Sequence, residues 1–72
     1  MGTNIQAALG ARIRKLRKEK NWSQEDLAAA CEMHWTYIGQ VERGERNLTL
    51  QSIQTISKAL GITIVELFGG VG

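Results

Sequence analysis

Apolar residues recur at helical spacing from one end of the 72-residue chain to the other, and this period restricts the possible folds more than any other feature. Glycines and helix-capping residues interrupt the pattern, whereas proline is absent and no segment alternates as a strand would. The sequence therefore predicts an all-α fold, a compact bundle of about five short helices. The expected helices cover about residues 5–20, 24–30 and 34–43, then the segment between Thr49 and Gly61, and finally the segment from Thr63 to about Phe68.

Local signals support these boundaries. Ser23 followed by Asp26, and Thr63 followed by Glu66, are capping boxes, in which a hydroxyl and a carboxylate satisfy the first backbone N–H groups. Asn21 stands where a left-handed residue would end the first helix. In the fourth helix one apolar stripe is expected to face the core, and it consists of Leu50, Ile53, Ile56 and Leu60.

The chain is short enough to form a single domain, expected to span residues 1–72 with an ordered core over about residues 5–68. A domain this small is usually stabilised by a disulfide, a metal or association. Cys31 is the only cysteine, which excludes an internal disulfide and fits a reduced, cytoplasmic setting. Together with His34 it supplies too few ligands for a zinc site. We therefore expect a homodimer without a metal or cofactor.

Basic residues are concentrated in the first helix. Six of the nine lie between Arg12 and Lys20, and with Glu19 as the one acid there this segment carries +5. It is either a phosphate-facing surface or an ordinary solvated helix face. The N-terminus has no signal-peptide pattern and the apolar stretch 62–68 is too short to span a bilayer, so no membrane partner is expected.

Only about three residues, Cys31 to Met33, join the second and third helices. A turn that short fixes the crossing angle of the two helices and suits a helix-turn-helix, whose second helix enters a groove of DNA. The chain resembles the phage-repressor-like family of helix-turn-helix domains (XRE or Cro/repressor type) over about residues 8–68. The resemblance rests on four blocks at matching spacing: residues 23–28 (SQEDLA), 37–38 (YI), 41–44 (VERG) and 59–62 (ALGI).

Within this family, residues 36–49 are similar to the controller proteins of restriction–modification systems. The resemblance implies a lambda-repressor-like DNA-binding domain and a regulator of transcription that binds specific double-stranded DNA. Control of restriction–modification genes is the more specific role that it implies. The sequence departs from the family at Glu32, where glycine is usual, at His34, where Ser, Thr or Asp is usual, and at Trp35, where a polar residue is usual.

The third helix is the expected recognition helix. On a helical wheel its polar side, which must face away from the core, consists of Thr36, Gly39, Gln40 and Arg43. Gln40 can pair with the edge of adenine, the methyl group of Thr36 can contact thymine, and Gly39 would allow a close approach. The resemblance implies that bases are read by Trp35, Thr36 and Gln40, with Tyr37 as a further candidate. The alternative is an ordinary solvated helix, with Trp35 covering the edge of the core.

Contacts to the DNA backbone are expected from both ends of the motif. Ser23 and Gln24 lie at the start of the second helix, where free N–H groups and the helix dipole attract anions. Arg43, Arg46 and Asn47 follow the recognition helix and are expected to reach the same backbone.

Two further sets of residues have expected structural roles. The resemblance implies an ion pair between Glu42 and Arg17, which would fix the first helix against the third. For the homodimer, the expected interface residues are Val65, Phe68 and Val71, since Val65 points away from the core side of the fifth helix. The alternative is that these residues complete the core of a monomer or are disordered after Gly69.

Other classes of function fit this composition less well. One histidine, one cysteine and no room for a sizeable cleft argue against an enzyme and against a small-molecule substrate. The alternative that remains is an antitoxin-type or other protein-interaction module of the same fold. The favoured expectation is a cytoplasmic regulator of transcription that binds double-stranded DNA as a homodimer on a two-fold operator.

Overall fold

The computed structural model describes residues 4–71. Over this range the chain forms five helices and no strand, which confirms the predicted all-α bundle. The predicted boundaries lie within about two residues of the observed ones. No helix within residues 4–71 combines the length and the apolar character that a bilayer crossing needs. The helices are α1 (Ile5–Glu19), α2 (Gln24–Cys31), α3 (Trp35–Glu42), α4 (Leu50–Ala59) and α5 (Ile64–Gly69).

A side chain caps the N-terminus of each of these helices. Both expected capping boxes are present, at the starts of α2 and α5. The cap of α3 is made differently, because the ring Nδ1 of His34 accepts from the backbone N–H of Thr36 at 3.1 Å. Each helix start is thus encoded by residues next to it in the chain. The capping residues are Asn4, Ser23, His34, Thr49 and Thr63.

The hydrophobic core lies where the helices meet. In the α4 stripe Ile53, Ile56 and Leu60 are buried, but Leu50 is 76 % exposed, so its predicted place in the core is wrong. Leu50 is the first residue of α4, and no neighbouring helix covers this end of the stripe. The largest fully buried side chains come from all five helices, and they are Ile13, Leu27, Ile38, Ile56 and Leu67.

Two glycines let α1 pack closely against the end of α3. A Cβ atom at Gly10 would overlap the carbonyl oxygens of Val41 and Glu42, so the two helices touch through their backbones. Gly44 follows α3 with φ 75°, and a Cβ atom there would lie 2.7 Å from the Cα of Ala7. The C-terminal end of α3 is therefore held in place by α1.

Candidate nucleic-acid interface

The helices α2 and α3 form the expected pair, joined by residues 32–34. Glu32 ends α2 in the left-handed conformation, with φ 56° and ψ 41°. The backbone N–H groups of Glu32 and Met33 donate to the carbonyl oxygens of Ala29 and Ala28, at 3.2 and 2.9 Å. The turn therefore forms the backbone hydrogen bonds that are expected with glycine at position 32. The left-handed glutamate costs about 1–2 kcal/mol.

A buried ion pair anchors the inner side of α3. The Nε of Arg17 donates to one carboxylate oxygen of Glu42 at 2.7 Å, and its Nη2 donates to the other at 2.9 Å. The third arm of the guanidinium donates to the carbonyl oxygen of Trp22 at 2.6 Å. Hydrogen bonding to Glu42 raises the pKa of Arg17, despite the opposing effect of burial. The two residues expected to pair thus join α1 to α3.

The outer side of α3 carries the side chains expected to read bases. Trp35 and Thr36 are exposed, whereas Tyr37 and Gln40 are half-buried. The Nε of Arg46 donates to the Oε1 of Gln40 at 2.8 Å. The guanidinium carbon of Arg46 lies 5.3 Å from the centre of the Tyr37 ring. The sequence placed these residues on one helix face but gave no sign that Arg46 would bind two of them.

Gly39 lies on the polar side of α3 but is not exposed there, so its predicted exposure is wrong. It is buried, and a Cβ atom there would lie 3.4 Å from the Oε1 of Gln24 and 3.3 Å from the Nη1 of Arg43. The close approach that this glycine permits is therefore with side chains of the protein. The helical wheel missed this because one of the two covering side chains, Gln24, belongs to α2.

The start of α2 is less open to anions than the sequence predicted. Asp26 accepts the backbone N–H of Ser23 at 2.8 Å, and Ser23 caps the N–H of Asp26 in return. Glu25 adds a second acid to the first turn. The side chain of Gln24 donates to Glu42 at 3.2 Å. Both predicted phosphate ligands of α2 therefore already have partners within the protein.

The three groups after α3 also have partners within the protein, and these contacts are exposed. Arg43 forms an exposed ion pair with Glu45, with an Nε–Oε2 distance of 3.1 Å. Hydrogen bonding to Glu45 raises the pKa of Arg43. Asn47 accepts from the side-chain amide of Gln6, and Arg46 is bound to Gln40. The side chains of Arg43, Arg46 and Asn47 are exposed, so phosphate oxygens can approach them from solvent.

Two of the six basic residues between Arg12 and Lys20 have structural roles. Arg17 is buried, and Arg12 donates to the carbonyl oxygens of Leu67 and Glu66 at 3.2 and 3.1 Å. Arg12 thereby satisfies carbonyl groups of the short helix α5. The ammonium group of Lys20 lies 5.2 Å from the centre of the Trp22 ring. The other basic residues of this segment are exposed, and they are Arg14, Lys15 and Lys18.

Cys31 and His34, the two residues weighed above as zinc ligands, have other roles in the structure. Cys31 is buried in the core, and this burial raises the pKa of its thiol. His34 is exposed, caps α3 and stacks on Trp35 with the ring centres 5.9 Å apart. In the described range, 4–71, no three side chains of the His, Cys, Asp or Glu types come together as a metal site would require.

The residues expected at a dimer interface differ in burial. Val65 is 81 % exposed, whereas Phe68 and Val71 are half-buried and pack against the core. Two apolar side chains that the sequence analysis did not select are also exposed, namely Ile5 and Leu50. Leu50 was assigned to the core side of α4, but it lies at a helix end, where tertiary structure decides burial.

Comparison with known proteins places this arrangement in a family. A family model described as helix-turn-helix matches residues 13–67, which is most of the chain. The chain belongs to this helix-turn-helix family. The match includes α2, the turn and α3, so the resemblance noted in the sequence is confirmed.

The relatives and solved structures of this family narrow the comparison. The chain is 49 % identical over 68 residues to the control protein C.BamHI of Bacillus amyloliquefaciens, covering 93 % of this chain and 84 % of that protein. It is 43 % identical to the restriction–modification controller protein C.AhdI of Aeromonas hydrophila, whose crystal structure matches with a TM-score of 0.85 over 88 % of this chain and 96 % of that one. The controller protein C.Esp1396I has been solved as a tetramer in complex with its natural 35-base-pair operator. Its chain is 37 % identical to this one and matches with a TM-score of 0.85 over 94 % of this chain and 90 % of that one.

Proposed function

We propose that this protein is a regulator of transcription that binds a specific double-stranded DNA operator, with α3 in the major groove. The observation that carries this proposal is the likeness to C.Esp1396I, which was solved on its own operator. The polar outer side of α3, opposite the buried Arg17–Glu42 pair, is the surface suited to a groove.

The proposed base contacts come from the outer side of α3. Exposed Thr36 and Trp35 come first, and Gln40 follows one helical turn later. Contacts to the DNA backbone are assigned first to Arg43, Arg46 and Asn47, whose partners are other exposed or half-buried side chains. Ser23 and Gln24 come second, since Ser23 caps α2 and Gln24 binds the buried Glu42. Tyr37, half-buried beneath Arg46, completes the proposed base-reading set.

We propose a homodimer that places two recognition helices on one face of the DNA, about 34 Å apart. The structure favours Val65 as the centre of the interface, since it is the most exposed large apolar side chain. Phe68 lies one turn away on α5 and lines a cleft with Ile5 and Ile53. Leu50, another exposed apolar side chain, lies one turn before Ile53 on α4. Val71 packs on the core and is placed at the edge of this interface.

The biological role that we propose is control of a restriction–modification system in the cytoplasm of a bacterium. The names of the relatives support it, because C.BamHI is a control protein and C.AhdI a restriction–modification controller. An antitoxin-type or purely protein-binding role has no such support among these relatives. No catalytic activity is assigned, since the family is one of DNA-binding regulators.

Selection from a random duplex library tests this function directly. The wild-type chain is expected to enrich a two-fold symmetric consensus, and its affinity for that consensus should fall steeply with salt because phosphate contacts release counterions. Gln40→Ala should weaken binding to the consensus while leaving the fold intact. Failure to enrich any consensus, with binding that is weak and independent of sequence, would contradict the proposal.

The interface is tested on the same operator. Val65→Glu should yield a monomer in sedimentation experiments and should weaken binding to the two-fold site far more than binding to an isolated half-site. Ala11→Glu, an acid introduced at an exposed position of α1, is the matched control and should leave the dimer unchanged. If the Val65 variant remained a dimer, this surface would be the wrong one.

A further inference from the structure

The amide group of Gln40 is held in one orientation by Arg46. The Nε of Arg46 lies 2.8 Å from the Oε1 of Gln40, and the guanidinium also rests over the ring of Tyr37. Arginine has only donors, so the atom of Gln40 that faces it must be the oxygen. The NH₂ group of Gln40 therefore points to the other side, with both of its hydrogens free to donate.

Arg46 is available for this role because the neighbouring acid is already engaged. Both carboxylate oxygens of Glu45 accept from Arg43, at 3.1 and 3.2 Å. Within residues 4–71 the ion pairs are Arg17–Glu42 and Arg43–Glu45, and neither includes Arg46. The position of the guanidinium over the Tyr37 ring adds a favourable cation–π contact, which favours this placement of the Arg46 side chain. Arg46 and Gln40 thus form one unit whose outward groups are donors.

This geometry bears on which base Gln40 can read. Adenine offers one acceptor and one donor in the major groove, so a bidentate contact needs the Oε1 of the glutamine as acceptor. Here that oxygen faces a cation, which repels an approaching amino group. Guanine offers two acceptors, N7 and O6, and these match the donors of Gln40 and of the guanidinium beside it.

We propose that Arg46 is a positioning residue that makes Gln40 select guanine rather than adenine in each half-site. This inference rests on the proposed function and replaces the pairing with adenine that the glutamine side chain alone would favour. Arg46 acts through the orientation of Gln40 and not only as a phosphate ligand.

The experiment begins with the consensus enriched by the wild-type chain. Every base pair of the half-site is substituted in turn, and Gln40→Ala identifies the position at which discrimination is lost. Guanine is expected there, preferred over adenine by roughly tenfold or more. Replacing this guanine by inosine, which keeps N7 and O6, should leave the affinity unchanged, whereas 7-deazaguanine, which lacks N7, should lower it.

Arg46 is then tested by two variants that differ in their donors. Arg46→Met keeps an extended side chain without a donor, and it should bring the preference for guanine over adenine close to parity at that one position. Arg46→Lys restores one donor and should recover part of the preference. Thermal unfolding should not change in either variant, because the Arg46 side chain is exposed.

Three results would overturn the inference while the proposed function stands. They are adenine at the Gln40 position, no position at which Gln40→Ala alters discrimination, and an Arg46→Met variant whose affinity falls equally for all bases. The last result would make Arg46 a backbone contact alone. If the wild-type chain enriched no consensus at all, the proposed function itself would fail, and this inference with it.

Discussion

Two arginine–glutamate ion pairs lie at the end of α3, and they differ in burial and in N–O distance. Glu42 and Arg43 are neighbours in sequence, yet Glu42 pairs inward with Arg17 and Arg43 pairs outward with Glu45. The side chains of the inner pair are 8 % and 2 % exposed, whereas those of the outer pair are 58 % and 53 % exposed. The shortest N–O distances are 2.7 Å and 3.1 Å.

The difference shows how one short helix serves two purposes. A buried pair cannot exchange partners without leaving a charge away from water, so the inner pair fixes the orientation of α3. An exposed pair is screened by water and contributes little to stability, so its arginine can turn to a phosphate. We infer that the inner pair determines the position of the recognition helix, and that the outer pair is available for the ligand.

The largest expected effect is on stability, when the inner pair is broken. Glu42→Ala should lower the free energy of unfolding by about 3–5 kcal/mol, because it leaves Arg17 buried without its carboxylate. Each kcal/mol lost should lower Tm by about 4–8 °C in a domain of this size. Thermal and urea unfolding followed by circular dichroism measure the loss.

Two comparisons make this prediction specific. Glu45→Ala, which breaks the outer pair, should leave Tm unchanged within the error of the measurement. Combining Arg17→Met with Glu42→Leu should recover much of the lost stability, since an apolar pair needs no countercharge. A small effect of Glu42→Ala, equal to that of Glu45→Ala, would remove the distinction between the two pairs.

Labelling of the buried thiol of Cys31 gives a second measurement of the difference in stability between Glu42→Ala and Glu45→Ala. Cys31 is 6 % exposed and its pKa is raised by burial, so a thiol reagent should reach it only when the domain opens. A loss of about 3 kcal/mol in Glu42→Ala should speed labelling by roughly 100-fold, since each 1.4 kcal/mol is a factor of ten. Labelling of Glu45→Ala should proceed at the wild-type rate. Rapid labelling of the native wild-type protein would show that the core around Cys31 opens without global unfolding.

The outer arginine should matter for DNA and not for folding. Arg43→Ala should lower affinity for the selected operator similarly across sequences, and it should reduce the slope of log affinity against log salt by about one. Its Tm should equal that of the wild type. A loss of discrimination at a single base pair would instead make Arg43 a base-reading residue.

Sequence analysis predicted best the features that are encoded locally. Ser23 and Asp26 lie three residues apart, and their capping box forms as expected. The Arg17–Glu42 pair joins residues 25 positions apart, and it was expected only because of the resemblance to a known family. Spacing within one helix cannot identify a partner on another.

The predictions that were wrong concern what a neighbouring helix covers. Leu50 continues an apolar stripe beyond the point where other helices cover α4, and Gly39 lies on a polar face but beneath Gln24. The hydrogen bond between Arg46 and Gln40 was missed for a similar reason, because it joins a loop to a helix. Burial and partner choice at such positions depend on the packing of the whole domain, which a helical wheel does not contain.

The smallest expected effect comes from neutralising the outer acid. Glu45→Gln removes a charge that repels phosphates and competes with them for Arg43, so operator affinity should rise slightly and the salt dependence should steepen. Glu42→Gln is the contrasting substitution, because it weakens the inner pair and should lower stability first and affinity only as a consequence. A fall in affinity on Glu45→Gln would mean that Glu45 holds Arg43 in the orientation that the DNA requires. The outer pair would then be a fixed part of the DNA interface, as the inner pair is a fixed part of the fold.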